Sequence, residues 1–377
     1  MYKIIEKYLS ELIEKSTYDY PYWNKEKVDS GKPIEWNYID GCMMNSIMEL
    51  YKMTNNQKYL SFVDYYAGHF VLEDGTIPTY KREKFVLDDI CESKVLFDLY
   101  SFTNKEKYLK AINYTAWHIE NQPRTKEGNF WHKTIYPHQI WLDGLYMAMP
   151  FYTKLLNLRN ESPDYSDIIN QYKNVKDIMC DKITGLYYHG YDSSKEVFWA
   201  DKETGLSKNF WLRAIGWFIV SIMDVYELLK DENSKAELKK IAVELSNSLL
   251  KYQDNKTKMF YQVVNMQERE GNYLETSGSA MIAYSFLKGA RLNVLEKEYK
   301  CHGKAILDGI CNNYLEEVDG VLNLGNICLV AGLGPSNNLR RDGSYEYYIS
   351  EPIVKNEGKG VAPVIMAYIE LLRGEQC

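Results

Sequence analysis

Asp143 lies in the stretch "WLDG" (141–144), at the head of the apolar run "LYMAMPF", with His132 and Lys133 of "FWHK" shortly upstream. A second acid, Asp88, lies in "LDDI". A carboxyl group walled by an indole such as Trp141, and close to another carboxylate, is suited to general acid and base work, because desolvation and like charge both help it hold a proton. A helix N-terminus opposes this, favouring the ionised form by ~0.3–1 kcal/mol. Cations stand in the same neighbourhoods. Arg213 of "FWLRAIGW" offers a planar fork that matches a carboxylate, with Lys133 and His189 of "YHGYD" as further donors. Tyr38, Trp141, Trp211 and Trp217 present faces on which sugar rings stack, and Met147, one turn beyond Asp143, adds an adaptable apolar contact. Together these are the convergent polar groups and stacking rings of a ligand pocket.

Each residue also has a plainer reading. Aspartates at helix starts commonly cap backbone N–H groups. The tryptophans and Met147 could be core, His189 a satisfied loop residue, and Arg213 half of a structural ion pair. Capping explains the acids alone. It leaves unexplained the cations and rings that recur at corresponding ends of successive repeats.

Those repeats are visible directly. "TNNQKYLSF" begins at Thr54 and "TNKEKYLKA" at Thr103, each after an apolar stretch, so an apolar helix, a Thr-Asn turn and a polar helix recur about every 50 residues. Thr54 and Thr103 are expected to be helix N-caps or the start of the turn that makes one. The helices are of two kinds. The segment 236–252 places Leu238, Ile241, Ala242, Leu245, Leu249 and Tyr252 on one stripe, as an outer helix does. The segment 210–229 is apolar nearly all round, as a helix buried on several sides is. Inner helices are expected to begin near Trp36, Leu87, Ile140, Phe210, Asn272 and Gly358. Outer helices are expected at 1–15, 57–70, 105–120, 165–177, 236–252 and 298–314. The short alternating runs 185–192 and 258–264 predict hairpins in loops. The fold class is therefore all-α with two concentric shells, and by likeness to known helical toroids the expected count is six: one domain over 1–377, a six-hairpin α/α toroid. Such a ring gathers the N-termini of its inner helices at one end. Tyr38, Asp88, Asp143, Trp211, Arg213 and Glu275 all lie at or near such starts, which describes a ligand pocket.

The ring content suits either a wide groove for amphipathic, hydroxyl-rich ligands or a large core of helical hairpins sealed by tyrosines. The chain has 377 residues with 33 Tyr and 8 Trp, rings with an apolar face and a polar tip. A net charge of -7 excludes a surface built broadly for nucleic acid. The seven cysteines include no CxxC pair, which predicts reduced thiols, no zinc site and a cytoplasmic location. The N-terminus reads as an amphipathic helix and not as a signal peptide, and no apolar run approaches the ~20 residues that span a bilayer. P-loop, dinucleotide and HExxH motifs are absent, so neither cofactor nor metal is expected.

The ordered set "FWHK", "YPHQIWLDGLYMAMPF", "YHGYD", "FWLRAIGW", "YQVVN", "NYLETSGSAM", "GSYEYYISEP" and "KGVAPVIMA" resembles the unsaturated rhamnogalacturonyl hydrolases over essentially the whole chain. The resemblance implies a six-hairpin glycosidase of pectin degradation. Its substrate would be a small oligosaccharide carrying a Δ4,5-unsaturated galacturonyl residue on rhamnose, cleaved by hydration of the ring double bond. It implies Asp143 as the general acid and base and Asp88 as the second essential acid. It also implies that Tyr38, His132, Lys133, Trp141, Met147, His189, Trp211, Arg213 and Trp217 line the sugar pocket. The sequence departs from the family pattern at Gly278, where alanine is common, and at Asn265, where aspartate is usual. The alternatives are an unsaturated glucuronyl hydrolase-like enzyme with another aglycone, a toroid epimerase or inverting glucanase, and a non-catalytic carbohydrate-binding protein. An epimerase would lean on several histidines at the inner-helix ends. Of the six here, His69, His118 and His302 fall on predicted outer helices.

Overall fold

A computed structural model describes residues 3–375. The inner shell is formed by Tyr38–Thr54, the broken run Ile90–Ser93 and Leu96–Thr103, then Leu142–Arg159, Leu212–Leu228, Thr276–Arg291 and Gly358–Glu375. Each packs on the next, and the last returns to the first, so the ring closes. The outer shell is Lys3–Glu14, Gln57–Phe70, Glu106–Asn121, Ser166–Met179, Glu232–Leu250 and Tyr299–Tyr314. The N-terminal outer helix packs on the C-terminal inner one, which completes the sixth hairpin. His69, His118 and His302 are all on outer helices. Among the described residues no helix is long and apolar enough to cross a membrane.

The two helix patterns sort as their polarity dictates. Leu212–Leu228 is buried continuously from Leu212 to Met223, being touched on several sides. Glu232–Leu250 buries chiefly the stripe Leu238, Ile241, Ala242, Leu245 and Leu249; Tyr252 lies past its end. Adjacent inner helices approach closely where side chains are small. A Cβ on Gly41 would sit 2.6 Å from the Cα of Glu92, so only glycine lets the first two inner helices meet there.

Some expectations are refined and two are corrected. Of the two readings of Thr54 and Thr103 the second holds: they end their helices, each hydroxyl bonding back to the carbonyl four residues earlier, and start the turn to the next helix. The turn is made by Asn55 and Asn104, in the left-handed conformation that asparagine tolerates. The second inner helix is interrupted, starting as the 3₁₀ turn Leu87–Asp89. The run 185–192 does not fold on itself; Gly190–Asp192 pairs antiparallel with Gln139–Trp141, which precedes the third inner helix. The run 258–264 makes only isolated bridges, Val263 to Trp211 and Tyr261 to Leu274. A true hairpin, Leu315–Val318 with Val321–Leu324, is turned by Asp319-Gly320, both at positive φ. Its Asp-Gly pair between apolar residues is the strongest short-range hairpin signal, and that signal was open to a reading of the sequence.

Candidate active site

The loop carrying "FWHK" binds the two acidic segments together. The His132 carbonyl accepts from Leu87 N–H at 3.1 Å, and His132 N–H donates to Gln139 O at 2.8 Å. Asp88 and the approach to Asp143 are thus held on either side of one strand-like stretch. The Gln139–Trp141 pairing with Gly190–Asp192 adds the third wall, and Leu142 N–H donates to the His189 carbonyl at 3.2 Å. Chain-distant residues therefore reach one rim through backbone hydrogen bonds in loops.

The result is a cavity of about 200 Å³ at the N-terminal end of the inner helices. Tyr38, Asp88, His132, Lys133, Trp141, Asp143, Met147, Trp211, Arg213 and Trp217 all line it. His189 does not. It is fully buried behind Asp143, with Nε2 3.3 Å from Asp143 Oδ2 and Nδ1 2.7 Å from the Tyr348 hydroxyl.

The two acids differ in their surroundings. Neither caps a helix: Trp141 is the N-cap before Asp143 and makes no side-chain cap bond, and the 3₁₀ turn holding Asp88 has none either. Glu275 is the acid for which capping holds, its oxygens accepting from Ser277 and Gly278 N–H. Asp88 forms an ion pair with Lys133 and lies 3.6 Å from His132 Nε2. Burial is the largest influence and would raise its pKa, but Lys133, His132 and Lys359 together outweigh it and hold the carboxyl below the usual aspartate range. Lys133 is raised in return: burial works against its charge and Asp88 overcomes it. Burial pushes His132 down to about 4, against the pull of Asp88, so its ring is neutral near neutral pH. Asp143 Oδ2 is buried and accepts no hydrogen bond, an exception to the rule that buried polar atoms are paired.

The rings form two walls and a floor. Trp141 stacks on His132 at 4.4 Å and on Tyr136 at 4.7 Å. Trp211 lies nearly parallel to Tyr348 and donates to Gln262 Oε1 at 3.2 Å. Trp217 stacks on Tyr146 at 4.5 Å, closing the cavity toward the ring axis.

Arg213 is the main correction. It borders the cavity but is buried, and its guanidinium is engaged within the protein. Nε donates to Ser277 Oγ at 2.7 Å, Nη2 to the Cys328 carbonyl, and Nη1 reaches the Leu329 carbonyl at 3.4 Å. Its acid partner is Glu275, at 3.6 Å. A fork committed to a helix cap and two carbonyls is not an open carboxylate clamp.

Sequence reading missed Tyr136, Glu26, Lys359, Arg341 and the backbone of Val330–Gly332 as lining. Lys359 opens the last inner helix and follows the rule that site residues sit at inner-helix starts, so that rule could have found it. Arg341 lies in an irregular loop, and no periodicity marks it. Of the two departures from the family pattern, Asn265 is exposed and away from the cavity, whereas Gly278 lies under Leu212, where a Cβ would stand 2.4 Å from Leu212 Cγ. Among the described residues no group of three His, Cys, Asp or Glu side chains is placed to hold a metal ion.

Comparison with known proteins was made on this geometry. The profile of Glycosyl Hydrolase Family 88 matches residues 12–374. A glycoside hydrolase from family 105 of C. acetobutylicum ATCC 824 superposes with a TM-score of 0.90 at 41% identity, covering 99% of both chains. The unsaturated rhamnogalacturonyl hydrolase YesR of Bacillus subtilis (strain 168) is 23% identical over 262 residues, 68% of this chain and 72% of its own. The unsaturated glucuronyl hydrolase of Bacillus sp. GL1 shares the fold, with a TM-score of 0.70 at 15% identity over 99% of this chain and 97% of its own.

Proposed function

The chain belongs to glycosyl hydrolase family 88, glycosidases of unsaturated uronyl sugars, and from that premise we propose that it releases Δ4,5-unsaturated galacturonic acid from short unsaturated rhamnogalacturonan oligosaccharides. The observation that carries this reading is the presence of two unlike aspartates on one ring-lined cavity: Asp88 ion-paired with Lys133, and Asp143 beside the buried His189 ring with no lysine or arginine partner among the described residues.

Ordinary glycosidases attack the anomeric carbon between two carboxyl groups. An unsaturated uronate is an enol ether, and a single acid–base group suffices. In this reading the Asp143 carboxyl gives its proton to carbon four, and the cation formed is shared by carbon five and the ring oxygen. Asp143, now a carboxylate, takes a proton from water as the water oxygen bonds to carbon five. The hemiketal opens and the aglycone leaves as an alcohol. Asp88, held ionised by Lys133, supplies fixed negative charge beside the developing cation. His189, held by Tyr348, orients the Asp143 carboxyl from behind. Trp141, Trp211 and Trp217 hold the sugar faces, with Tyr38 and Met147 at the edges.

The test is to mix the protein with the unsaturated galacturonyl–rhamnose disaccharide and follow ultraviolet absorbance. Hydration destroys the conjugated chromophore, and released rhamnose should match its loss mole for mole. Chromophore preserved while rhamnose appears would mean direct glycosidic attack. No turnover on this disaccharide alongside turnover on a glucuronyl substrate would move the specificity to the other uronate. Asp143→Asn should lower kcat by about 10²–10⁴-fold, and unchanged turnover in it would refute the assignment. A chelator should leave the rate unaltered.

A further inference from the structure

The proposed substrate carries a carboxylate on the reacting ring, so the cavity needs a cation that is not already committed. Four cationic side chains line it. Lys133 is bound to Asp88. Lys359 is bound to Glu26 and, at 2.8 Å, to Glu357. Arg213 is spent on Glu275, Ser277 and the 328–329 carbonyls. Arg341 differs. Among the described residues its guanidinium has no ion-pair partner and makes no hydrogen bond, although its charge is felt at Glu26.

The backbone around Arg341 is nevertheless anchored. Its N–H donates to Asn338 O at 3.3 Å, its carbonyl accepts from Gly334 N–H at 2.8 Å, and the adjacent Asp342 is tied to Lys208 at 2.9 Å. Gly332 keeps space open beside the guanidinium. A Cβ there would lie 3.3 Å from Arg341 Nη1 and 3.3 Å from Trp141 Cζ3. A positioned arginine with a vacant planar fork, next to an indole on which a sugar can lie, matches a sugar carboxylate.

We propose that Arg341 is a specificity-determining residue that receives a carboxylate of the substrate, the task that the buried Arg213 cannot perform. This rests on the function proposed above. Two carboxylates in such oligosaccharides share the required chemistry: that of the unsaturated uronate itself, and that of a galacturonate further along the aglycone.

The experiment compares Arg341→Met and Arg341→Lys with the parent on the unsaturated disaccharide, which has only the first carboxylate, and on the corresponding tetrasaccharide, which has both. KM should rise about 10–100-fold in Arg341→Met, with kcat changed less and Arg341→Lys in between. A rise on both substrates assigns Arg341 to the unsaturated uronate. A rise confined to the tetrasaccharide assigns it to the aglycone. Unchanged KM on both, in a parent that turns them over, overturns the proposal. Inhibition gives a readout independent of turnover. Galacturonate should inhibit the parent more strongly than galactose, and that preference should vanish in Arg341→Met; a preference kept intact also overturns it. A parent inactive on both oligosaccharides would sink the functional reading, while the inhibition arm would still judge the arginine.

Discussion

At the scale of single residues, the site separates two aspartates by their partners. Lys133 and His132 occupy Asp88, whereas Asp143 faces His189 alone. Because His189 is held through Nδ1 by the Tyr348 hydroxyl, Tyr348→Phe should lower kcat about tenfold, with KM and melting temperature nearly unmoved. Steady-state kinetics on the variant checks this; a rise in KM with kcat unchanged would instead mean that Tyr348 acts on sugar binding. Asp89 offers a pH test. Burial and the adjacent Asp88 push its carboxyl up to about 7, with Lys133, Glu35 and Lys84 also acting on it. An unfolded aspartate titrates near about 3.9. The fold therefore binds this proton more tightly than the unfolded chain does. The resulting stability is complete below about pH 4 and is lost as pH rises through about 7. Asp89→Asn should flatten the decline in stability between about pH 5 and 8, measured by urea unfolding at several pH values. An identical slope in parent and variant would contradict it.

At the scale of elements, the inner helices are spaced by what they lack. Gly278 sits under Leu212, and an added methyl would meet Leu212 Cγ at 2.4 Å. Gly278→Ala should therefore destabilise by about 1–3 kcal/mol. Leu212→Val in the same chain should restore part of that loss, because the clash is with the leucine branch. Thermal unfolding of the single and double variants decides it. The same elements show where sequence signals were sound and where they were not. Apolar periodicity, together with the known six-hairpin plan, located the toroid helices, because burial on one side or on several leaves a direct record in side-chain polarity. It left Thr54 and Thr103 open between two roles, since threonine is as good a last-turn hydroxyl as an N-cap, and the left-handed asparagine carries the reversal. The 185–192 run looked like half of a hairpin because alternation reports a half-buried strand but not its partner.

At the scale of the whole molecule, the end opposite the site is organised too. The far ends of the six inner helices surround a cavity of about 450 Å³. An arc of ion pairs runs around it: Lys154 to Asp98 at 3.1 Å, Lys52 to Asp98 at 2.7 Å, Arg373 to Glu49 at 2.7 Å, Arg291 to Glu370 at 2.6 Å, Arg291 to Glu227 at 2.9 Å, and Lys288 to Asp224 at 2.8 Å. The links between Glu370 and Arg373, Glu49 and Lys52, and Lys288 and Glu227 make it continuous. Glu370 is buried and serves two arginines. Glu370→Gln should cost less than the about 3–5 kcal/mol of a buried charge left unpaired, because Arg291 keeps Glu227 and Arg373 keeps Glu49, with kcat unchanged because the site lies at the other mouth. Acid should act on the same arc. Burial opposes ionised Glu227, but Lys288 and Arg291 hold its pKa down to about 2. Its contribution is present above about 4.5 and is lost as pH falls toward about 2. Glu227→Gln should therefore make melting temperature less sensitive to pH across that range.

The sequence by itself determined the two kinds of helix and the end at which the site would lie, because helix polarity and the chemistry at helix starts are local properties, while the family resemblance implied the eleven site residues, ten of which border the cavity. Only the tertiary structure decided which charges are free. Asp88 and Arg213 are both ionisable groups at inner-helix starts, yet Lys133 in one loop and Glu275 on another helix satisfy them. Arg341, with no pattern around it, has no ion-pair partner among the described residues. Pairing depends on distances between segments far apart in the chain, and a linear sequence holds no record of those distances.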